Sequence, residues 1–295
     1  MANYNSAFTG AQIDAAIAAV ANKVDKVPGK GLSTEDYTTA EKNKLAGIEA
    51  GANNYTHPPT HPASMITDLP TGKKVARFVV GTSTSGWTEK DCDYLCDGTN
   101  DQEEIIQALN DLPATGGEVV ILDGTYNIMA SINIPKDNVS LRGNGNATTL
   151  KRMYNSTNTD SGPTARGLIT LNEKSGCKIQ GLQIDGNKAT YTASYNYGIF
   201  LYSSSNNTVI GNTCNNNSNG IYLTSSSNNN TVTGNTCNNN SNYGIYLTSS
   251  NNNTVTGNTC NNNNINYGIY LTSSSSDNTV TGNTCNNNNY GIYLT

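Results

Sequence analysis

The sequence contains few charged side chains and almost no histidine for a chain of 295 residues. Charged residues make up 13% of it, the formal net charge is -5, and there are two histidines. No stripe of lysine and arginine is present, so the charge pattern with which proteins neutralise nucleic-acid phosphates is missing. We therefore expect no nucleic-acid partner.

Long hydrophobic runs are missing as well. The first residues have neither a basic nor an apolar signal-peptide region, and no later window approaches about 18 consecutive apolar residues. We expect no signal peptide and no membrane insertion, and hence synthesis in a reducing cytoplasm that keeps cysteines as thiols. A disulfide between Cys92 and Cys96 is the alternative for that pair.

What the second half of the chain does contain is a repeat rich in asparagine, serine and threonine. Its glycines Gly211, Gly234, Gly257 and Gly282 are separated by 23, 23 and 25 residues. Each unit has only two short strand-like runs, Thr-Val-Thr and Gly-Ile-Tyr-Leu-Thr, and cannot bury a hydrophobic face alone. Stacked units can, and each then adds about 4.8 Å of length. The repeat predicts a mainly β solenoid.

Alternation along these runs predicts which side chains point inward. The predicted interior column is Val209, Cys214, Ile221 and Leu223, followed by Val232, Cys237, Ile245, Leu247, Val255, Cys260, Ile269 and Leu271. An earlier, less regular unit matches Ile179 to Val209 and places Ile184 in the cysteine slot. Because this slot takes either residue, we interpret its cysteines as small hydrophobic side chains rather than redox or metal groups.

One asparagine follows each repeat glycine. The column Asn212, Asn235, Asn258 and Asn283 predicts a ladder of amides that hydrogen-bond along the solenoid axis, since buried amides need such partners.

The segment from Cys92 to about Leu150 resembles the start of the pectate-lyase-like β-helix superfamily, in which an amphipathic helix caps the solenoid. Ile105, Ile106, Leu109 and Leu112 have helical spacing, Asp101 is a candidate N-cap, and Val119 to Leu122 form a strand-like run. The resemblance implies a right-handed parallel β-helix over residues 76–295. Residues 97–118 would form the capping helix and lead into the first coils, and residues 206–295 the asparagine-rich coils of about 23 residues.

The segment from Gly29 to His57 is similar to one that recurs in phage tail-fibre proteins, which implies a shaft and linker over residues 29–75. Before it, residues 1–28 carry an apolar stripe that predicts a short trimeric coiled-coil helix: Ile13, Ala16, Ile17, Val20, Val24 and Val27. Thr38 and Glu41 match the capping-box pattern and predict a second helix that ends near Gly47 or Gly51.

His57 and His61 lie in a proline-rich stretch, Tyr55 to Pro62, that must be extended. In a trimer their imidazoles could meet on the threefold axis and bind a transition metal. The favoured interpretation is a stiff spacer with two exposed imidazoles, so we expect no metal and no cofactor.

Catalytic candidates are few. Residues 206–295 contain one acidic residue, Asp277, and no lysine, arginine or histidine, so no glycosidase pair can form there within one chain. Earlier coils offer Asp160, Glu173 and Asp185, whose alternative role is to cap turns. The sequence therefore favours a protein without catalytic activity and leaves a polysaccharide lyase or hydrolase as the alternative.

A column of outward-facing tyrosines is the better binding candidate. The alternation that buries isoleucine and leucine turns Tyr222, Tyr246, Tyr270 and Tyr293 outward, with Thr224, Thr248, Thr272 and Thr295 beside them. Sugars stack on such aromatic strips, and a subunit interface is the alternative. The tyrosines before the glycines, Tyr197, Tyr243, Tyr267 and Tyr290, are expected to shield the coil corner.

These features favour a structural and receptor-binding component of a phage tail fibre or tailspike, located in the virion tail. We expect it to form a homotrimer, to join tail or baseplate proteins through its N-terminus and to contact a bacterial surface glycan. The alternative is a polysaccharide depolymerase, either a lyase or a glycoside hydrolase. Ice binding is a third hypothesis, because Thr-Val-Thr recurs at 231–233, 254–256 and 279–281. A solenoid that stops within a repeat exposes a strand edge, so we expect a cap or a partner there.

Overall fold

The computed structural model describes residues 7–21, 38–48, 76–156, 162–263 and 266–295. It divides the chain into two compact units, Met1–Pro70 and Thr71–Thr295. Several residues singled out in the sequence lie outside the described ranges, and the predictions made for them stay predictions. They are Val24, Val27, His57, His61 and Asp160.

The described part of the first unit consists of two short helices, α1 (Gly10–Ala21) and α2 (Thr39–Ala46). On α1, Ile13, Ile17 and Val20 are exposed, so the predicted apolar stripe has no partner within the described chain. The capping box of α2 is confirmed: Glu41 N donates to Thr38 Oγ1 over 3.3 Å, and Thr38 N donates to Glu41 Oε2 over 2.7 Å. The helix ends at Gly47, one of the two predicted positions.

The second unit is a parallel β-helix. Every strand pair described in it is parallel, and the strands form two sheets, as expected for coils stacked along one axis and consistent with right-handed winding. The strands are β1 (Arg77–Thr82), β2 (Tyr94–Cys96), β3 (Gly117–Ile121), β4 (Gly124–Ile128), β5 (Ile132–Asn133), β6 (Val139–Arg152), β7 (Gly167–Asn172), β8 (Lys178–Asp185), β9 (Tyr197–Tyr202), β10 (Thr208–Ile210), β11 (Thr213–Asn215), β12 (Asn219–Thr224), β13 (Thr231–Thr233), β14 (Tyr243–Thr248), β15 (Thr254–Thr256), β16 (Tyr267–Thr272), β17 (Thr279–Thr281) and β18 (Tyr290–Leu294).

The first sheet has the strand order β17-β15-β13-β10-β8-β6-β3-β1-β2, with β11 paired to β8 and β4 paired to β6. The second sheet has the order β18-β16-β14-β12-β9-β7-β5. Strands from consecutive repeats are therefore neighbours in each sheet. This order confirms that one repeat makes one coil.

The register between coils matches the sequence repeat. Val209 lies beside Ile179 on one side and Val232 on the other, and Cys214 lies beside Ile184. The whole predicted interior column, from Val209 to Leu271, is buried at 0–4% exposure. The interpretation of the cysteine slot as apolar interior is confirmed, and Cys214, Cys237 and Cys260 are free thiols.

A helix, α3 (Gln102–Asp111), precedes the regular coils and contributes Ile105, Ala108 and Leu109 to the same continuous core. Asp101 occupies its N-cap position, but the carboxylate does not bond the first helical turn as expected. It accepts instead from Gly98 N over 2.8 Å and from Asn127 N over 2.6 Å, since strand β4 lies closer to it. The strand predicted at 119–122 is β3, which starts two residues earlier.

Four asparagine columns join the coils, where a single ladder was predicted. In one of them, Asn215, Asn238, Asn261 and Asn286, each Oδ1 accepts from the backbone N of the next asparagine. The other three are ladders of the predicted kind. Asn235 illustrates the pattern: its backbone N and its Nδ2 both donate to Asn258 Oδ1, over 2.9 and 3.0 Å, and Nδ2 also donates to Val209 O. Its own Oδ1 accepts from Asn212. The other two ladders are Asn207, Asn230, Asn253 and Asn278, and Asn217, Asn240, Asn263 and Asn288.

The glycine that starts each Gly-Ile-Tyr-Leu strand is required by close packing. A Cβ on Gly244 would lie 2.6 Å from the carbonyl oxygen of Gly268 and 2.8 Å from Cys260 Cβ. Such distances are well inside van der Waals contact, so only glycine fits. The absence of a side chain here lets the chain turn a corner and bring the preceding residue, Tyr243, to the outer surface.

In the part of the chain that the structure describes, no helix is both long enough and apolar enough to cross a membrane.

Candidate functional site: a tyrosine surface on the second sheet

Four tyrosines form one outward-facing column on the second sheet. Tyr222 pairs in register with Tyr246, Tyr246 with Tyr270, and Tyr270 with Tyr293. The isoleucines and leucines beside Tyr222, Tyr246 and Tyr270 are buried in the core, whereas Ile292 and Leu294, beside Tyr293 in the last coil, are 43% and 62% exposed. The parallel register therefore stacks one phenol on each successive coil, as the alternation of the sequence predicts.

A second column of tyrosines lies against the first. The ring centroids of Tyr243 and Tyr246 are 4.7 Å apart, and those of Tyr267 and Tyr270 are 4.6 Å apart. These rings were expected only to shield the coil corner, but they extend the aromatic area. We call the combined set the tyrosine surface: Tyr197, Tyr222, Tyr243, Tyr246, Tyr267, Tyr270, Tyr290 and Tyr293.

The sequence signal for the second column is the pattern Tyr-Gly-Ile-Tyr, in which two tyrosines are separated by two inward-facing residues. Strict alternation would place the first tyrosine inside the coil, so the pattern alone is misleading. The alternation breaks at the glycine, because both Gly244 and Ile245 face inward and the ring of Tyr243 lies against that of Tyr246 outside.

The rings of the surface cover one another's faces. Tyr222 and Tyr246 stack with centroids 4.6 Å apart and planes 12° apart, and Tyr246 and Tyr270 stack at 5.2 Å and 9°. Tyr246 thus has a ring on each of its two faces. Such offset stacking contributes about 0.5–1.5 kcal/mol per pair beyond the burial of area. What the surface presents outward is ring edges and hydroxyl groups.

The first coils anchor the tyrosine surface through buried groups. Phe200 is fully buried and lies 5.2 Å from the ring of Tyr222. Arg152, also fully buried, donates from Nη2 to the carbonyl oxygen of Tyr197 over 2.6 Å and lies over the ring of Tyr154 at 4.5 Å. These contacts hold the first tyrosine of the surface in place.

A threonine column borders the tyrosines. Thr248 pairs with Thr272 in register, and Thr295 Oγ1 donates to Thr272 Oγ1 over 2.8 Å. In the preceding coil, Tyr202 takes the position of Thr224. The strip is therefore a band of phenols flanked by aliphatic hydroxyls.

Burial raises the pKa of two phenols of the first column. Desolvation by the neighbouring rings raises the pKa of Tyr246 to about 12, and it also raises the pKa of Tyr222. Because the charged form of a buried phenol is penalised, every tyrosine hydroxyl of this kind can donate a hydrogen bond at neutral pH. The surface as a whole is polar at its edges and carries no charge.

The carboxylate candidates lie elsewhere. Glu173 occupies the turn after β7, with a φ of 56°, and Asp185 ends β8 in the other sheet. Asp185 Oδ1 accepts from Asn187 N over 3.1 Å and from Asn216 Nδ2 over 3.0 Å, which is the turn-capping arrangement. The two carboxylates thus belong to different sheets, and Asp160 lies outside the described residues.

A polar cleft of about 460 Å³ adjoins Asp185 and is also lined by Asn187, Lys188 and Asn216. Lys188 Nζ donates to the carbonyl oxygen of Asn239, and partial burial lowers the pKa of its ammonium group. A carboxylate and an amine therefore share one cleft wall.

Sequence reasoning did not identify a compact group beside α3. Cys96, Asp101 and Glu104 bring three potential ligand atoms within 4.8 Å of one another. Burial raises the pKa of the Cys96 thiol far above its usual range, and it raises the pKa values of both carboxyl groups. Both oxygens of Asp101 already accept backbone hydrogen bonds. The group therefore serves to join α3 to the first coils.

Residues 129–295, more than half of the chain, match the family described as periplasmic copper-binding protein (NosD). The chain belongs to this family. The matched residues include the asparagine-rich coils and the whole tyrosine surface. No curated protein matches the chain.

Solved structures similar to this chain share its fold. ORF18 of Geobacillus virus E2 is 19% identical with a TM-score of 0.53, covering 78% of this chain and 46% of that one. The A-module of mannuronan C-5 epimerase AlgE4 from Azotobacter vinelandii is 20% identical with a TM-score of 0.53, covering 72% and 59%. This chain thus spans about half the length of the structures it matches. At such identities the likeness supports a parallel β-helix and nothing finer.

Proposed function

We propose that this protein is a receptor-binding component of a phage tail fibre or tailspike and that its tyrosine surface contacts a bacterial surface polysaccharide. The observation that carries this proposal is the continuous band of outward-facing phenols across β12, β14, β16 and β18, which begins beside the buried Tyr197 of β9. Such a band supplies both apolar area and hydrogen-bonding groups, the combination with which proteins hold sugars. The uncharged coils around it offer no catalytic pair.

The virion location, the trimeric state and the attachment to tail or baseplate proteins are parts of the same proposal. They are motivated by the segment from Gly29 to His57 that is similar to phage tail-fibre proteins, and by the exposed apolar stripe on α1. A helix of this length is marginal alone, so an exposed stripe of this kind favours association.

Retention on host envelope polysaccharide tests the proposal. The full-length chain is passed over immobilised envelope fractions, together with a double variant, Tyr246→Ala and Tyr270→Ala. We expect the parent to be retained and the double variant to lose affinity about tenfold or more, because two stacked rings leave the surface. The matched control, Thr233→Ala and Thr256→Ala, changes two outward positions of the first sheet and keeps the parent's affinity.

Two results would count against this proposal. If no envelope fraction retains the parent chain, the receptor-binding role is wrong. If the threonine control loses as much affinity as the tyrosine variant, then binding occurs away from the tyrosine surface.

Polysaccharide depolymerisation is the second candidate, and the cleft beside Asp185 favours it. A carboxylate and a partly buried amine on one cleft wall are groups that general acid and base catalysis can use. Its test is the size distribution of envelope polysaccharide after long incubation with the parent and with Asp185→Asn. Shortening of the polymer by the parent alone would support catalysis at Asp185, whereas unchanged size with both would remove this candidate.

Copper, which the family description names, does not fit the matched residues. Residues 129–295 contain no histidine, and their soft donors are mainly the cysteines of the coils. Cys214, Cys237 and Cys260 are fully buried among valine, isoleucine and leucine side chains, where burial raises the pKa of Cys237 and so disfavours the thiolate that copper needs. We therefore assign these coils no copper-dependent step.

A further inference from the structure

We infer that the tyrosine surface recognises a neutral, extended polysaccharide through phenol hydroxyls and ring edges rather than through ring faces, with about one sugar residue per coil. This inference rests on the proposed glycan-binding function and specifies how the binding works. It assigns the chemical class of the ligand and the groups of the protein that select it.

The faces of the interior rings are covered by neighbouring rings. In the usual mode of sugar binding, the C–H groups of a pyranose lie flat on the open face of an aromatic ring. Here Tyr246 has Tyr222 at 4.6 Å on one face and Tyr270 at 5.2 Å on the other, with planes 12° and 9° from its own. A sugar cannot enter between rings at this spacing. Face stacking is closed to the interior rings of the column.

The remaining groups are hydroxyls. Each coil offers a phenol, which is protonated at neutral pH, and a threonine two residues later on the same strand. Both are donors and acceptors at once. A ligand rich in hydroxyl groups can therefore form paired hydrogen bonds along the whole column.

The spacing sets the shape of the ligand. Successive rings of the column are separated by 4.6, 5.2 and 5.7 Å along the coils. An extended chain of equatorially linked pyranoses advances by about the length of one sugar ring per residue, close to this repeat. A polymer lying along the solenoid axis can thus meet equivalent hydroxyls on every coil, which multiplies weak contacts into useful affinity.

The low charge of the coils determines which charge of ligand they favour. Between residues 206 and 295 the only charged side chain is that of Asp277, and it is negative. Arg166 acts on the first-coil end of the surface, at Tyr197 and Tyr222. Along the coils from Tyr246 to Tyr293 a polyanion would lose part of its hydration without gaining a cationic partner, so a neutral chain is favoured. The same lack of charge predicts binding that salt does not weaken.

Replacement of tyrosine by phenylalanine separates the two modes of recognition. The double variant Tyr246→Phe and Tyr270→Phe keeps the stacked rings and removes only two hydroxyls. We expect it to lose affinity for the retained envelope fraction by about tenfold, nearly as much as the alanine pair, because hydrogen bonds to the ligand are lost. Circular dichroism and the thermal midpoint should match those of the parent, because the ring stack is intact.

Ligand length and salt test the remaining parts of the inference. Fragments from partial hydrolysis of the retained fraction are separated by length, and affinity should rise with each added sugar up to about the number of coils. Affinity for the longest fragment should change by less than about twofold between low and high salt.

The outcomes of these experiments distinguish this inference from the proposed glycan-binding function on which it rests. If the phenylalanine variant binds like the parent, or if binding collapses in high salt, the inference is overturned and the receptor-binding role stands. Retention of no fraction by the parent overturns both.

Discussion

At the scale of single residues, asparagine holds one coil to the next. In each ladder the asparagine side chain makes two kinds of hydrogen bond. Its oxygen accepts from the preceding coil, and its nitrogen donates to carbonyl oxygens, as at Asn235. Buried amides such as Asn235, at 1% exposure, have no water to replace these bonds. The cost of a missing partner is then that of an unsatisfied buried polar group.

Asn235→Ala should lower the free energy of unfolding by about 2–4 kcal/mol, because it removes the amide and leaves donors of Asn212 unpaired. Chemical denaturation followed by circular dichroism measures this change. The control is Asn229→Gly, at an exposed turn residue with a φ of 56° that glycine adopts freely. If the two substitutions lowered the free energy of unfolding equally, the amide ladder would add no more stability than an exposed turn residue.

The cysteines act at the same scale as interior fillers. Cys237→Val should change the free energy of unfolding by less than about 1.5 kcal/mol, because the slot already accepts Ile184 in an earlier coil. Cys237→Ser should cost about 1–3 kcal/mol, since it buries a hydroxyl of similar size. Denaturant titration of both variants checks the order. A valine variant less stable than the serine variant would contradict the apolar interpretation.

At the scale of elements, the second sheet does two things with one strand pattern. Its inward residues join the core, and its outward residues form the tyrosine surface. The close contact at Gly244 makes this possible, because it turns the preceding tyrosine out of the coil. In the same coils the first sheet contributes the short Thr-Val-Thr strands β13, β15 and β17, which carry threonine instead of tyrosine on their outer side. The two faces of the solenoid therefore differ in chemistry although they share one repeat.

The raised pKa values of the tyrosine surface predict a dependence of stability on alkaline pH. In the folded chain the pKa of Tyr246 is about 12, against an ordinary value near 10 in the unfolded chain. Its contribution to stability is full below pH 10 and is lost as the pH rises through about 12, because the unfolded state ionises first. The unfolding midpoint, measured from pH 8 to 12, should decrease as the pH rises above 10. Tyrosinate absorbance should increase over the same range.

The variant Tyr246→Phe is the control for this titration. Since phenylalanine has no ionisable group, its unfolding midpoint should fall less steeply than the parent's over the same window. A parent whose tyrosines all ionise near their ordinary pKa would show that the rings are not desolvated in solution.

At the scale of the whole molecule, each unit presents a surface that can meet another chain. On α1 the exposed residues Ile13, Ile17 and Val20 form an apolar stripe. On the β-helix the tyrosine surface is an outward-facing aromatic area. A stripe with steps of three and four residues is typical of coiled-coil seams.

We expect the full-length chain to be a trimer that Ile17→Asp converts to a monomer, because a buried aspartate is not tolerated in an apolar seam. Sedimentation velocity measures the mass of both. The control Ala15→Asp places the same charge on the opposite side of α1 and should remain trimeric. If the tyrosine double variant rather than Ile17→Asp dissociates the trimer, the tyrosine surface is a subunit interface.

The sequence by itself determined the coil, its interior and the outward column of tyrosines. These follow from spacing: residues such as Val209, Cys214 and Ile221 recur at one repeat length, and parallel stacking then puts like residues side by side. The first amide ladder was predicted for the same reason, since Asn212 keeps a fixed offset from the repeat glycine.

Only the tertiary structure decided how the tyrosines meet. Whether Tyr243 faces inward or outward depends on the close packing at Gly244, which interrupts the alternation, and whether the faces of Tyr246 are open depends on ring angles between coils. Asp101 likewise bonds strand β4 rather than its own helix because of where that strand lies. Periodicity specifies which residues are neighbours, but side-chain orientation at a corner is set by packing between residues more than 20 positions apart.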